Sequence, residues 1–340
     1  MRRTMRERWD EDDRMYLELF IKQRLYPTIF GGIVGDALGV PAEFKQRESV
    51  NISSMTGYGT YNQPEGTWSD DTSLTMCLIE NLIEKKDETD LMKKFAEYRD
   101  NGYWTPYGKM FDIGIATNEA IFRYKAGMPV EDWGGASEYD NGNGALMRIA
   151  PLLFTLIKEP DFRKRIHEIE RIAHITHRHP RSTLGCILYM EYLYLLYYNN
   201  DPFKAYKMVV EFYKENLRDT VYEKELPAYS RIMDLELQNL HRDQIKSDGY
   251  VVHSLEAAMW CFLHTDSYAE AVLKAVNLGG DTDTIALLTG TMAGMYYKME
   301  SIPKEWLDKL ARKNDLMKTI KSFFEYCFEK ADAIRVKGNK

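Results

Sequence analysis

The stretch LGGDTDTIALLTGTMAGMYY, residues 278–297, decides the reading of the chain. Asp281 and Asp283 alternate with Thr282 and Thr284 directly after a Gly-Gly pair, and a long apolar run follows. A glycine pair makes a tight turn, and Asp or Thr is what a helix N-terminus accepts at its cap and first turn. One Asp satisfies a cap. A second needs another cause, because neighbouring carboxylates repel and raise each other's pKa. Upstream, GTWSDDTSLTMCLIENLIE (66–84) repeats the pattern, with Ser69, Asp70, Asp71 and Thr72 opening another apolar run. Two acidic helix starts so far apart in sequence predict four carboxylates gathered around positive charge. A pair of hard divalent cations, Mg²⁺ or Mn²⁺, takes such carboxylate and hydroxyl oxygens. The plainer alternative is two ordinary caps facing the helix dipole.

The rest of the composition narrows the class. The chain has 340 residues, 44% apolar and 29% charged, enough for one sizeable core and typical of a soluble globular protein. A net charge of −7 without a Lys/Arg block argues against nucleic acid as partner. Cys77, Cys186, Cys261 and Cys327 sit in apolar runs without a CxxC pair and read as buried thiols of a cytoplasmic protein. The N-terminus lacks the apolar core of a secretory signal, and no apolar run is long enough to span a bilayer. A monomer with no membrane contact is expected.

In chain order, residues 1–13 are charged and expected to fray or to be helical only in contact with something, and a short amphipathic helix fits 16–25. IFGGIVGDALGVPAEF (29–44) keeps helical apolar spacing. Glycine inside a helix costs about 1 kcal/mol against Ala, so Gly31, Gly32 and Gly35 imply a close helix–helix approach. Pro41 should end this helix, leaving Glu43 in a loop and Asp36 on the helix facing the core. A loop over 46–66 leads to a helix at 70–85, then one at 89–99. Asp112 reads as the opening of the next helix, closed by Gly127 and Pro129. In SEYDNGNGALMRIAPLLF (137–154), Gly142, Asn143 and Gly144 directly precede an expected apolar helix that would carry Arg148 in its first turns, and could offer backbone N–H groups to a phosphate, aided by the helix dipole. Arg148, one turn on, could pair with phosphate or with an acidic neighbour. AHITHRHPRS clusters His174, His177 and His179, but no second ligand set supports zinc. Helices follow at 182–199, 203–217, 226–238, 251–263 and 267–277, and two more within 303–333, with VKGNK as a frayed end. The tyrosines of YMEYLYLLYYNN (189–200) read as core. No alternating pattern marks a strand. The fold class is all-α: a single compact domain of orthogonally packed helices over 28–335, with a charged extension at 1–27 and a binuclear metal site at helix N-termini.

Taken together, GDALG with Glu43 beyond it, WSDDTSLTMCL, FDIG, NGALMRIAP, THRH and NLGGDTDTIALLTGTMAG resemble, in order, the motifs of the ADP-ribosylglycohydrolase family across roughly residues 28–300. That family includes ADP-ribosylarginine hydrolases and the hydrolase that reactivates ADP-ribosylated dinitrogenase reductase. The resemblance implies two Mg²⁺ or Mn²⁺ ions held by Ser69, Asp70, Asp71, Asp281, Asp283 and Thr284. It puts Glu43 beside the metals, Asp112 at the substrate or a metal-bound water, the 142–144 turn with Arg148 at pyrophosphate, and His177 at the pocket edge. His253 stands where relatives carry an acid and is given no role.

By the same resemblance the substrate is an ADP-ribosylated protein or a small ADP-ribosyl compound, arginine-linked by preference. The bond cleaved joins the acceptor to C1 of the distal ribose, through an oxocarbenium-like state. The metals would orient the ribose hydroxyls and a bridging water, with Asp70 among their ligands and Glu43 or Asp283 as general base. Tyr103, Trp104 or Tyr107 would hold adenine, Tyr250 could line the pocket, and the loops around 46–66 and 100–111 would choose the acceptor. Alternatives are a hydrolase of another ADP-ribosyl linkage or O-acetyl-ADP-ribose, or a non-catalytic ADP-ribose-binding or structural relative. The intact ligand set argues against loss of activity.

Overall fold

Gly31, Gly35 and Gly39 face Gly290, Ala286 and Asp283 across the contact that organises the molecule. In the computed structural model, which describes residues 5–338, this contact joins α1 (Met5–Gly39) to a later helix, Thr282–Tyr297. A methyl group at Gly35 would lie 2.1 Å from the Ala286 carbonyl oxygen, and one at Gly39 would lie 2.4 Å from the Asp283 Cα. The backbones therefore touch. The cost of glycine within a helix is offset by that approach, and its consequence is positional: the end of α1 lies against the acidic start of its partner. Gly39→Ala should lower the melting temperature by on the order of 5 °C, the scale of an overpacked core. It should also weaken divalent-ion stabilisation by displacing Asp283. Thermal melts with and without Mg²⁺ would check both effects.

After α1 come α2 (Asp70–Glu84), α3 (Glu88–Asn101), α4 (Ile115–Lys125), α5 (Leu152–Leu156), α6 (Phe162–Ala173), α7 (Pro180–Tyr197), α8 (Pro202–Asn216), α9 (Ser230–Met233), α10 (Val251–Leu263), α11 (Tyr268–Val276), α12 (Thr282–Tyr297), α13 (Lys304–Lys309) and α14 (Lys313–Gly338). Helices α7, α10 and α11 pack on α12, while α2 and α14 pack on one another and on α1. The all-α class holds: the described residues contain isolated bridges only, Tyr58 with Gln63, Gly135 with His177 and Gly142 with Tyr250. No helix among them is long and apolar enough to cross a membrane. The tyrosines at 189, 192 and 197 are buried as expected, whereas Tyr194 is partly buried and Tyr198 exposed, and all four cysteines are buried and free.

Several local expectations change. Residues 5–39 form one helix through Pro27, so two helices become one that takes in the segment 5–13, and position 27/28 falls inside α1. Residues 1–4 lie outside the described part. At the other end α14 runs to Gly338, so residues 336–338 of VKGNK are helical, and Asn339 and Lys340 lie outside the described residues. The helix expected at 226–238 is broken into a 3₁₀ turn, Glu223–Tyr229, and the single turn α9. Pro227 lies in that 3₁₀ turn and cannot donate an N–H. No helix was expected over α6, although Asp161 caps it by accepting the Arg163 N–H at 2.9 Å.

Candidate active site

The two acidic motifs meet. Asp70, Asp71, Asp281, Asp283 and Thr284 line one cavity of about 560 Å³, together with Glu43, Asp112, the 142–144 turn and His177. Asp70 and Asp71 form the first turn of α2, and Ser69 caps it, its Oγ accepting the Asp71 N–H at 3.2 Å. Asp281 and Asp283 begin α12. Asp36 of α1 holds the start of α2. Its carboxylate accepts the Ser69 N–H at 2.9 Å, the Thr72 N–H at 3.0 Å and the Thr72 hydroxyl at 2.6 Å, capping α2 from another helix.

Glu43 follows the 3₁₀ turn Val40–Ala42, outside α1 as Pro41 suggested, and is buried. Ligand-type oxygens of Glu43, Asp112 and Asp283 lie within 4.8 Å of one another. Asp112 does not cap a helix. α4 begins at Ile115 with Gly114 as its cap, and the intervening chain is drawn in because the Gly114 N–H donates to Asp70 Oδ2 at 3.2 Å. Asp112 therefore joins the cluster rather than capping a helix, beside the carboxylates where the resemblance put it at the substrate or a metal-bound water.

Seven carboxylates share this region, and burial raises the pKa of each. Burial and then the Asp112 and Asp281 charges push Glu43 up to about 9, while burial takes Asp36 to about 6. Glu43 Oε2 and Asp71 Oδ2 are buried without a hydrogen-bond partner. Buried acceptors without donors are costly, and hard divalent cations match an oxygen-only donor set. The residues present therefore fit such ions.

A pH dependence follows for the metal-free protein. Each carboxyl holds its proton more tightly folded than unfolded, so stability is greatest at low pH in this respect and declines as pH rises. The window runs from the ordinary carboxyl range near 4 to about 9, where Glu43 titrates. The metal-free melting temperature should fall by roughly 2–4 °C per pH unit for each differing proton between pH 6 and 9. Bound Mg²⁺ should flatten that slope. A chelated sample melting higher at pH 9 than at pH 6 would refute the coupling.

The turn at 142–144 is pinned more firmly than its sequence suggested. The Asn143 N–H donates to the Gly249 carbonyl at 3.1 Å, so it is not available to a phosphate. The Asn143 side-chain amide donates to Asp281 Oδ2 at 2.6 Å and to Ser254 Oγ at 2.8 Å, so this residue orients a carboxylate. A methyl group at Gly144 would lie 2.8 Å from the His177 ring, which explains glycine there.

Arg148 is not on a helix and does not line the cavity. Residues 144–148 form turns, and its guanidinium donates to the Gly144 carbonyl and, at 2.7 Å, to Thr176 Oγ1. It braces the turn from below. His177 is buried at the cavity wall with Nδ1 2.8 Å from Thr176 Oγ1. Burial and then Arg148 depress its pKa to about 3, so it is neutral.

His174, His177 and His179 diverge: His174 meets Thr183 and His179 caps α7. His179 does approach Glu138 and Glu225, but Arg181 pairs with both of those carboxylates. The aromatic residues also differ from expectation. Tyr103 bonds Glu80, Trp104 is buried, and neither they nor Tyr107 nor Tyr250 line the cavity; Phe44 and Tyr139 do.

Comparison with known proteins agrees with this geometry. A family model for ADP-ribosylglycohydrolase matches residues 18–333. The chain is 31% identical over 304 residues to the ADP-ribosylarginine hydrolase Tri1 of Serratia proteamaculans, covering 87% of this chain and 78% of that one. It is 28% identical over 302 residues to the ADP-ribosyl-[dinitrogen reductase] glycohydrolase of Rhodospirillum rubrum, covering 86% and 92%. A solved structure titled ADP-ribosylglycohydrolase-related protein complex superposes with a TM-score of 0.74 at 27% identity, covering 90% of this chain and 99% of that one. With the acidic helix starts joined in one cavity and the match running through nearly the whole chain, this protein belongs to the ADP-ribosylglycohydrolase family and is a hydrolase of glycosidic bonds to ADP-ribose.

Proposed function

We propose that the bond this hydrolase cleaves is the one between ADP-ribose and arginine, with two divalent cations, Mg²⁺ or Mn²⁺, held by Asp70, Asp71, Asp281, Asp283 and Thr284, and with Ser69 contributing at the cap. The observation that carries this reading is the buried group of carboxylates with two unpartnered oxygens, lining a cavity of substrate size. The arginine acceptor is supported by likeness to relatives named ADP-ribosylarginine hydrolases. Bound cations would supply Lewis-acid orientation of the ribose hydroxyls and lower the pKa of a water.

The chain's own residues do the rest. Glu43, whose Oε2 lacks a partner, accepts the proton of the attacking water, with Asp283 as the other candidate base. Asn143 fixes Asp281, and Gly114 fixes Asp70, so the cluster is organised before substrate arrives. Asp112, Gly142, Gly144 and neutral His177 line the substrate's path, and Arg148 supports the turn from beneath. The substrate is an ADP-ribosylated protein or small ADP-ribosyl compound. The chain acts as a cytoplasmic monomer, consistent with four buried free cysteines.

The test is turnover of arginine-, serine- and acetyl-linked ADP-ribose with Mg²⁺, Mn²⁺ or chelator. Metal-dependent release from arginine at the highest kcat/KM is expected. Preference for another linkage refutes the acceptor, and full activity in chelator refutes the metals.

A further inference from the structure

A second, open groove of about 560 Å³ adjoins the active cavity. Residues 45–48 form one wall, Asp243 and Ser247 another, and Phe44 borders both groove and cavity. The groove shares no lining residue with the turn at 139–144. Phe44 is held in the left-handed region (φ 61), a conformation that bulky residues rarely adopt. Its N–H donates to the Gly280 carbonyl at 2.7 Å, and the Gly280 N–H returns to the Lys45 carbonyl at 2.9 Å. These bonds tie the groove to the loop that opens α12. The floor is equally fixed. Arg47 donates to the carbonyls of Leu278 at 2.8 Å, Arg242 at 2.7 Å and Ile245. Lys45, Gln46, Glu48 and Asp243 stay exposed above it, and the Phe44 side chain is 69% exposed beside them.

We propose that this groove receives the polypeptide flanking the modified arginine. The inference rests on the reading of the main cavity as the site of ADP-ribosyl hydrolysis. If the ribose sits at the carboxylates and the rest of ADP-ribose follows the 142–144 turn and Tyr139, the acceptor must leave C1 by another way. The opening at Phe44, one residue from Glu43, is such a way. A free arginine acceptor ends before the groove, whereas a protein acceptor continues into it. An exposed aromatic rimmed by Lys, Gln, Glu and Asp on a rigid floor suits an extended peptide, with Phe44 as the apolar anchor and the charges as its polar rim.

The experiment compares two substrates, ADP-ribosyl-arginine and a protein mono-ADP-ribosylated on arginine, with Mg²⁺ present. Gln46→Trp fills the groove and Asp243→Arg reverses a charge, both at exposed positions whose folding is checked by melting temperature. At least one of these variants should lower kcat/KM for the protein substrate by about tenfold or more, chiefly through KM, as loss of uniform binding does. ADP-ribosyl-arginine should be turned over within twofold of wild type by both. Equal loss on both substrates, or no change on the protein by either variant, overturns the groove assignment while leaving the hydrolase reading intact. A wild type inactive on both substrates overturns the hydrolase reading and this inference with it.

Discussion

Asp283→Ala is expected to abolish turnover, by at least about 10³-fold, and to remove the rise in melting temperature expected of the wild type with Mg²⁺ or Mn²⁺. Asp283 opens α12 beside Glu43 and Asp112, so its loss takes one carboxylate from the group that would hold the cations. The rate estimate corresponds to a loss of about 4 kcal/mol, within the several kcal/mol a metal supplies to a transition state. Saturation at about 100 times Kd stabilises a folded protein by about 2.7 kcal/mol per site, or roughly 5–10 °C here. A further signature separates metal binding from simple damage to the fold. Burial and then Glu43 hold the Asp283 carboxyl well above its usual range, so its charge is unfavourable when no cation is present. Metal-free Asp283→Ala should therefore melt at or above the metal-free wild type at pH 8. Asp70→Ala should show the same pair of effects. A variant that still responds to metal and still turns over substrate would dismiss Asp283 as a ligand.

The readable part of this site was the part that exceeds a local need. A cap uses one acidic or hydroxyl side chain, so Asp70–Asp71 and Asp281–Asp283 stood out as surplus, and the glycines of α1 stood out as a cost without local benefit. Both point to tertiary contacts, and the structure supplies the contacts in the meeting of α1 with α12. Residues whose role depends on direction rather than type were less legible. Arg148 has a phosphate-binding chemistry, but the turns at 144–148 direct it under the site to Thr176. Asn143 sits in a phosphate-like turn, but pairing with the 249–251 segment uses its N–H. Asp112 looks like a cap until Gly114 is seen bonded to Asp70 across a long stretch of chain. Asp36 was placed facing the core, but nothing local in sequence says that it caps α2. The helix at 226–238 contained its own warning in Pro227, and α6 had a readable Asp161 cap that the apolar pattern around it did not draw out.

Glu43→Gln is expected to lower kcat by about 10²-fold or more, the usual scale for loss of a general base, while affinity for ADP-ribose stays within a few-fold. The amide keeps the shape of the carboxylate and one oxygen acceptor but cannot take a proton. Glu43 is 4% exposed, and burial with the Asp112 and Asp281 charges raises its pKa to about 9 without metal. Nearby positive charge favours the ionised form, so cations in the site would bring that pKa down toward the working range where a base is useful. Its place beside Asp112 and Asp283 also allows a ligand role, and the two roles differ in their readouts. A base lost to Gln leaves the metal-induced thermal shift in place and removes the acidic limb of the kcat profile. A ligand lost to Gln shrinks the thermal shift and raises the metal concentration needed for half-maximal rate. The metal-free variant gives a control independent of catalysis. Wild-type Glu43 binds its proton more tightly folded than unfolded, so its contribution to stability is lost as pH rises from the carboxyl range to about 9. Glu43→Gln removes that titration, and its melting temperature should decline less steeply over the same span. Turnover unchanged from wild type would remove Glu43 from the chemistry and leave Asp283 as the base.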